Sequence, residues 1–545
     1  MGRTVAVSEG AAGIRTDAAE SAQGLRREIG WQDAFWLASG VPALVLFSIG
    51  GIAATVGTPS YVVWPLSVLL GFVQAFTYAE IAGMFPSKSG GASVYGAAAW
   101  IRYGKLIAPL SVWCNWLAWT PVLSIGCGIA AGYILTALTP AHSTLRTAEI
   151  ELLDLGALKN GLTLRIDATF LIGAALLLAV FLIQHRGILR TARFQMAIGI
   201  LVLLPLTLIA LIPMLSGNMK LANLFPLTPL SGIEHGRPIA GTWDRQGWSV
   251  FLGGLFLAAW STYAFETTIC YTSELRSPGT DCVRSILSAG LLCIFMFAVV
   301  PLAFQGNLGL DSMLDPGIYD GSGVAAAMAQ MVGGGPLVSA LIVLLLLLAL
   351  VLSIITAMAG SSRTLYQGSI DGWLPRYLSH VNAHGAPTRA MWTDLAFNLI
   401  LLLMSDYVFV LAVSNCCYLI FNFLNLNAGW MHRVDSPRAN RPWRAPDALL
   451  AAGAVLAFVN AFLLGAGANV YGKAALLTGL LAAAMVLPVF AWRHYVVDRG
   501  VFPANMLTDL QVEDLATAPR RAGWMPYAAL GGGILAMLGG KLVFG

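Results

Sequence analysis

Long apolar runs, cut by short polar connectors rich in arginine, glycine and proline, set the pattern of this chain. A membrane-crossing helix needs about 20 apolar residues. Runs at or near that length fall at 33–55, 61–79, 106–138, 168–184, 195–214, 248–271, 286–304, 336–359, 390–404, 406–430, 447–467 and 474–492. A Gly-rich run at 524–543 is a further candidate. The pattern predicts an all-α polytopic membrane protein of twelve spans, with that last run as a possible thirteenth. The gaps reach only about 30 residues, too few to build a soluble core unaided. Residues 1–30 are rich in Ala, Gly, Ser and Glu and hold no apolar core. They predict a disordered tail and no cleavable signal.

Composition agrees: 57% of the 545 residues are hydrophobic and 11% charged, against roughly 25% charged in soluble domains. The net charge of +4 matters through its placement. Arginine and lysine gather in the tail (Arg3, Arg15, Arg26, Arg27) and in alternate connectors, such as Arg186, Arg190 and Arg193 or Arg433, Arg438, Arg441 and Arg444. The other side holds only Arg146, Lys159, Arg165, Lys220, Arg237, Arg245 and Lys473. The positive-inside rule then predicts a multi-pass protein of the inner or plasma membrane with a cytoplasmic N-terminus. Dispersal over many short loops excludes a nucleic-acid surface. The seven cysteines show no zinc spacing and are expected as packing residues.

An ionisable group inside the bilayer is costly and calls for a reason. Glu266, in Trp260-Ser261-Thr262-Tyr263-Ala264-Phe265-Glu266, stands out as deep within a run. All seven histidines lie in connectors or at run ends, which counts against an intramembrane metalloenzyme. Nothing calls for a metal or another cofactor. Plainer readings stand beside these: Trp260 as bundle packing, and Glu266 as the partner of a neighbouring helix. Asn415, Asn422, Asn425 and Asn427 make the tenth run rich in amides, which fits hydrogen bonding between helices.

The stretch Tyr78-Ala79-Glu80-Ile81-Ala82-Gly83-Met84-Phe85-Pro86-Ser87-Lys88-Ser89-Gly90-Gly91-Ala92-Ser93-Val94-Tyr95 resembles the signature ending the second helix of amino acid–polyamine–organocation permeases. The Trp260–Glu266 segment, with Ser273-Glu274-Leu275-Arg276-Ser277-Pro278 after it, is similar to that family's sixth helix. His185–Gln195, Ser362-Arg363-Thr364-Leu365-Tyr366 with Asp371-Gly372-Trp373-Leu374-Pro375, and Asn440–Pro446 resemble three of its cytoplasmic turns, in the family's order.

The resemblance implies five helices followed by five of inverted topology, with helices 1 and 6 discontinuous around a mid-membrane site. Residues 31–432 would form this core, 433–495 helices 11 and 12, and 496–545 a C-terminal tail with the extra candidate span. It implies a secondary transporter moving amino acids by alternating access, through proton-coupled symport or exchange. A polyamine or an ethanolamine- or choline-like amine is the alternative substrate, and a non-transporting sensor a remoter one. Substrate contacts are expected from Val45, Ser48, Gly50, Gly51, Trp260, Ser261 and Tyr263, and coupling or gating from Glu266, Phe265, Glu80 and Arg363. The chain departs from the family in two places. The glycine before Phe265 is Ala264, so the sixth-helix break is expected at Ser261-Thr262 or at Gly253-Gly254. The glycines of the first helix are shifted to Gly40 and Gly50-Gly51, and its break is expected near Ser48-Ile49-Gly50-Gly51, against a helix kinked at Pro42. Sodium-coupled relatives place hydroxyls of helix 8 near a carbonyl of helix 1. Ser353 and Thr356 are the candidates here, although span hydroxyls usually bond back to their own helix. Some proton-driven relatives carry a lysine on helix 5, and 195–214 has none.

Overall fold

The computed structural model describes residues 25–140, 142–234, 237–319, 321, 323–333, 335–510 and 518–545. The tail expected over residues 1–30 lies outside them up to residue 24. Among the described residues, eleven helices are long and apolar enough to cross a membrane, and the shorter Ala168–Gln184 helix adds a fourth-position crossing. The chain is an all-α polytopic membrane protein. The ninth run forms Thr388–Leu401, shorter than expected and opening four connectors beyond the fifth span Ile188–Leu215.

Aspartates fix where several spans begin. Asp167, Asp244 and Asp406 each accept a backbone N–H in the first turn of the helix they precede, at 2.8, 3.0 and 3.0 Å. Such caps satisfy helix donors that have no intrahelical partner. Gly247 N–H, with the Thr242 hydroxyl, holds the Asp244 carboxyl below its ordinary range. All three caps lie on the side opposite residues 25–30, together with two hairpins the apolar pattern did not predict, Glu149–Asp154 with Thr163–Asp167 and Leu230–Glu234 with Arg237–Ala240.

Among the described residues, the first and the sixth spans pass midway into 3-10 helix. The first runs as Trp31–Leu37, then a 3-10 turn Val41–Leu44, then Val45–Val56. Its break is therefore at 38–44, and the expectation of a break at Ser48–Gly51 is corrected: those residues are regular helix. The glycines there serve close packing. A Cβ on Gly50 would lie 2.1 Å from Ile318 O, in the connection after the seventh span Pro278–Leu308. Gly40, by contrast, sits in the break, where a Cβ would lie 2.5 Å from Leu352 O of the eighth span Pro336–Ile370.

The sixth span is α-helical over Arg245–Thr262, turns at Tyr263, and continues as a 3-10 helix over Ala264–Glu274. Runs of 3-10 beyond about 3–4 residues are uncommon and often mark functional hinges. The break follows Ser261-Thr262; Gly253-Gly254 lie within unbroken helix and pack on Val470 and Val56.

The signature stretch after the second span Ser60–Met84 locks onto this 3-10 segment. Gly90 and Gly91 have φ of +97° and +83°, a conformation that favours glycine. Gly90 N–H bonds Cys270 O at 2.9 Å, and Tyr95 of the buried helix Ala92–Trp100 bonds Ile269 O at 3.2 Å.

The C-terminal run forms Met525–Phe544, long enough to cross the membrane. Near its start Tyr527 bonds Tyr103 O; at its end the Leu542, Val543 and Phe544 carbonyls accept from Arg245 and Ser249, at the opposite end of the bundle. It lies along Asp447–Gly467 through glycines: a Cβ on Gly465 would meet Met537 O at 1.8 Å.

Candidate functional site at the two helix breaks

The two breaks face one another. Ser261 Oγ lies 3.3 Å from Ser48 Oγ and 3.4 Å from Leu44 O, so the last α-helical turn of the sixth span touches the 3-10 turn of the first. Trp260 stands next to them, its ring centroid 6.0 Å from that of Phe47. Its indole N–H donates to Ala118 O at 3.1 Å and to Ser414 Oγ at 3.0 Å. Ala118 belongs to the third span, which is itself interrupted between Ile107–Trp119 and Pro121–Leu138; Ser414 belongs to the tenth span Tyr407–Asp435. Ser48, Trp260, Ser261 and Glu266 are all buried.

Glu266 lies one turn beyond the break. One carboxylate oxygen accepts Trp119 Nε1–H at 3.0 Å, and the other has no hydrogen-bond partner among the described residues. That second oxygen would be 3.8 Å from a Cβ on Gly91. The Tyr418 hydroxyl lies beside Glu266 and the Thr267 hydroxyl beside Cys270. Unsatisfied buried polar atoms are costly unless something else meets them, and the carboxylate beside Trp119 could take an ammonium group or a proton.

Other expected residues lie further off. Phe265 packs on Phe72 of the second span, and the Tyr263 ring fills the space over Gly71, its hydroxyl reaching Asn460 at 3.5 Å. Val45 is buried at the start of its helix. Gly51 faces Leu257 and Val408. Glu80 is remote from both breaks: it accepts from Arg433 at 2.6 Å and Ala445 N at 2.8 Å and lies 3.3 Å from Arg441 Nε, tying the second span to the end of the tenth and the connector after it. Arg363 forms a two-point ion pair with Glu274, at the end of the 3-10 segment.

Behind the first break, Ser353 donates to Gly40 O at 2.7 Å and Thr356 to Leu37 O at 2.8 Å. The hydroxyls of the eighth span thus reach the first-span carbonyls. Gln195 of the fifth span donates its amide to the same group, to Leu37 O at 3.2 Å and Thr356 Oγ1 at 2.9 Å. The Gln195 amide thus joins the two hydroxyls at the first-span carbonyls. Three of the four amides of the tenth span bond to other helices as expected, while Asn427 bonds Phe423 O and Trp430 within its own helix, at 2.9 and 3.0 Å. Asn415 donates to Phe256 O of the sixth span, Asn425 to Ser111 Oγ at 2.9 Å, and Asn422 accepts from Tyr78.

Asp394 escaped the reading of the sequence, and Gln195 entered it only as the end of a turn motif. Gln195 opens the fifth apolar run and Asp394 lies inside the ninth; a polar residue within an apolar run was the available signal. Glu266 is therefore not alone as a carboxylate deep in the bundle, since Asp394 is fully buried too.

The amino acid permease family model matches residues 29–488. A polyamine transporter of Oryza sativa subsp. japonica is 25% identical over 418 residues, covering 76% of this chain and 67% of its own length. A branched-chain amino acid permease of Lactococcus lactis subsp. cremoris is 23% identical over 175 residues, 32% of this chain and 35% of its own. With two interrupted spans meeting at a buried polar site, and a match over most of its length, the chain belongs to the amino acid permease family.

Proposed function

We propose that this transporter moves amino acids across the cytoplasmic membrane by alternating access, binding them where the first and sixth spans break. The observation that carries the reading is the meeting of Ser261 with Ser48 and Leu44 O beside Trp260. Interrupted helices expose backbone groups at mid-membrane only where they line a cavity or are buried in protein. Trp260 offers an aromatic face to an ammonium group. Glu266 is the candidate coupling group, exchanging a proton as the site opens to one side and then the other. The Gln195 amide at the crossing of the first, fifth and eighth spans supports transport independent of sodium. A polyamine or similar amine is the second reading, favoured by the unpartnered Glu266 oxygen and by the likeness to a polyamine transporter.

The inward face is taken as the side of residues 25–30, in line with the charge pattern. There Glu28 and Ile29 N–H groups bond Glu274 O at 3.0 and 3.1 Å, Arg363 pairs with Glu274, and Lys88 pairs with Asp371 at 2.8 Å. On the other face the connector carrying Ile318 seats on Gly50. The arrangement is that of a closed state between the two open ones.

Counterflow in proteoliposomes tests the proposal. Vesicles loaded in turn with each common amino acid, putrescine or spermidine are expected to accumulate label with an amino acid inside. Label accumulation with amines alone moves the assignment to the second reading, and none at all from folded protein refutes both.

A further inference from the structure

The third span is interrupted at Thr120, just before Pro121, and this turn joins the site to a buried acid on the helix Thr388–Leu401. Proline has no N–H, so Leu117 O, four residues earlier, loses its helical donor; Ser414 Oγ donates to it at 3.0 Å. The next carbonyl, Ala118 O, accepts Trp260, and the next side chain, Trp119, donates to Glu266. One irregular turn therefore supplies partners to both residues expected to handle substrate and proton.

The same turn is gripped from the scaffold side. Asp394 Oδ1 accepts Trp116 Nε1–H at 2.6 Å and the Thr120 hydroxyl at 3.1 Å; Oδ2 accepts Ser361 of the eighth span at 2.7 Å. Asn398, one helical turn on, donates to Thr120 Oγ1 at 2.7 Å and accepts Ser124 N–H at 3.1 Å. Ser124 is in the first turn after Pro121. The ninth span thus holds the ends of both third-span helices. Both side chains are fully buried, and every donor that meets Asp394 here is neutral. A carboxylate taking three hydrogen bonds from two helices is a stiff anchor, because each lost bond is a buried interaction that water does not replace.

We propose that Asp394 is a positioning residue for transport: through Trp116 and Thr120 it sets the geometry in which Ala118 O meets Trp260 and Trp119 meets Glu266. The inference rests on the reading that Trp260 lines the substrate site. No contact of Asp394 with substrate is implied.

The test is a double-mutant cycle in counterflow, using the common amino acids, putrescine and spermidine as probes and full-length protein that elutes as a single species. Asp394→Asn is expected to raise KM about tenfold, the size of one lost hydrogen bond to a charged group. In a Trp260→Phe background the same change is expected to add little, because its route to the substrate is already cut. A purely structural role gives effects that multiply, or a loss of folded protein at unchanged KM; either result overturns the inference and leaves the site reading intact. If Trp260→Phe alone leaves KM unchanged, or wild-type protein exchanges none of the probes, the site reading falls and the inference with it. Should Asp394→Asn not fold, Thr120→Val enters the same cycle and is decided by the same criterion.

Discussion

Arg363 and Glu274 face each other in a two-point ion pair, Nε to Oε2 at 2.5 Å and Nη2 to Oε1 at 3.0 Å, with both side chains buried. Arg363 belongs to the eighth span and Glu274 ends the 3-10 half of the sixth. The guanidinium also lies 5.5 Å from the Tyr271 ring. Removing one partner strands a buried charge and costs about 3–5 kcal/mol. Arg363→Ala is therefore expected to favour opening at this end. A cysteine placed at Thr267, buried in the structure, should then react with a thiol reagent added from that side. Equal protection with and without Arg363 would show that the pair is no gate.

Glu266→Gln keeps the shape of the side chain and the acceptor for Trp119 but cannot exchange a proton. Counterflow is expected to persist, while accumulation driven by a pH gradient is lost. Full gradient-driven accumulation by the variant would remove Glu266 from the coupling step.

Gln195 ties the first-span break to the eighth span. Gln195→Ala is expected to lower stability by about 1–3 kcal/mol, the cost of leaving buried acceptors unmet, seen as a lower unfolding temperature of the purified protein. Wild-type transport should be the same in sodium and in potassium media. A requirement for sodium would contradict the occupancy of this place by the amide.

Two glycine substitutions separate the break from the helix beyond it. Gly40→Ala sets a Cβ against backbone of the eighth span, and Gly50→Ala sets one against Ile318 O. Overpacking of this kind costs about 1–3 kcal/mol. The Gly40 variant should lose substrate affinity, because the break itself shifts. The Gly50 variant should loosen the closure on the far face at little cost to affinity. The reverse pattern would restore the break to Ser48–Gly51.

The Met525–Phe544 helix lies outside the part matched by the family model, yet it takes up Arg245 and Ser249 at the start of the sixth span. A guanidinium at a helix C-terminus is favoured by the helix dipole. Deleting residues 524–545 is expected to lower the unfolding temperature by a few degrees while counterflow remains; about 1 kcal/mol shifts a large domain by roughly 2–4 °C. Complete loss of counterflow from folded protein would make this helix part of the transport cycle.

The spans were legible because the bilayer imposes a local rule: about 20 apolar residues make one crossing. The aspartate caps at Asp167, Asp244 and Asp406 came only from the structure. The sixth-span break was also legible at Ser261-Thr262, since the polar cluster and the irregular backbone coincide. Glu266 stood out as an acid in an apolar run. Asp394 carried the same signal and was passed over, as its run was short and no motif drew attention to it.

By itself, the sequence determined the membrane class, the order of the crossings and the permease signature around Gly90-Gly91. The tertiary structure decided where the first span breaks and which partners the buried polar groups take. Glycines and a proline permit a break at more than one place along residues 40–51. What selects 38–44 is that Thr356 and Gln195 compete for Leu37 O and Ser353 for Gly40 O, from spans more than 150 residues away. In a medium without water, a carbonyl leaves its helix only where another donor awaits it, and no local pattern records which distant donor that will be.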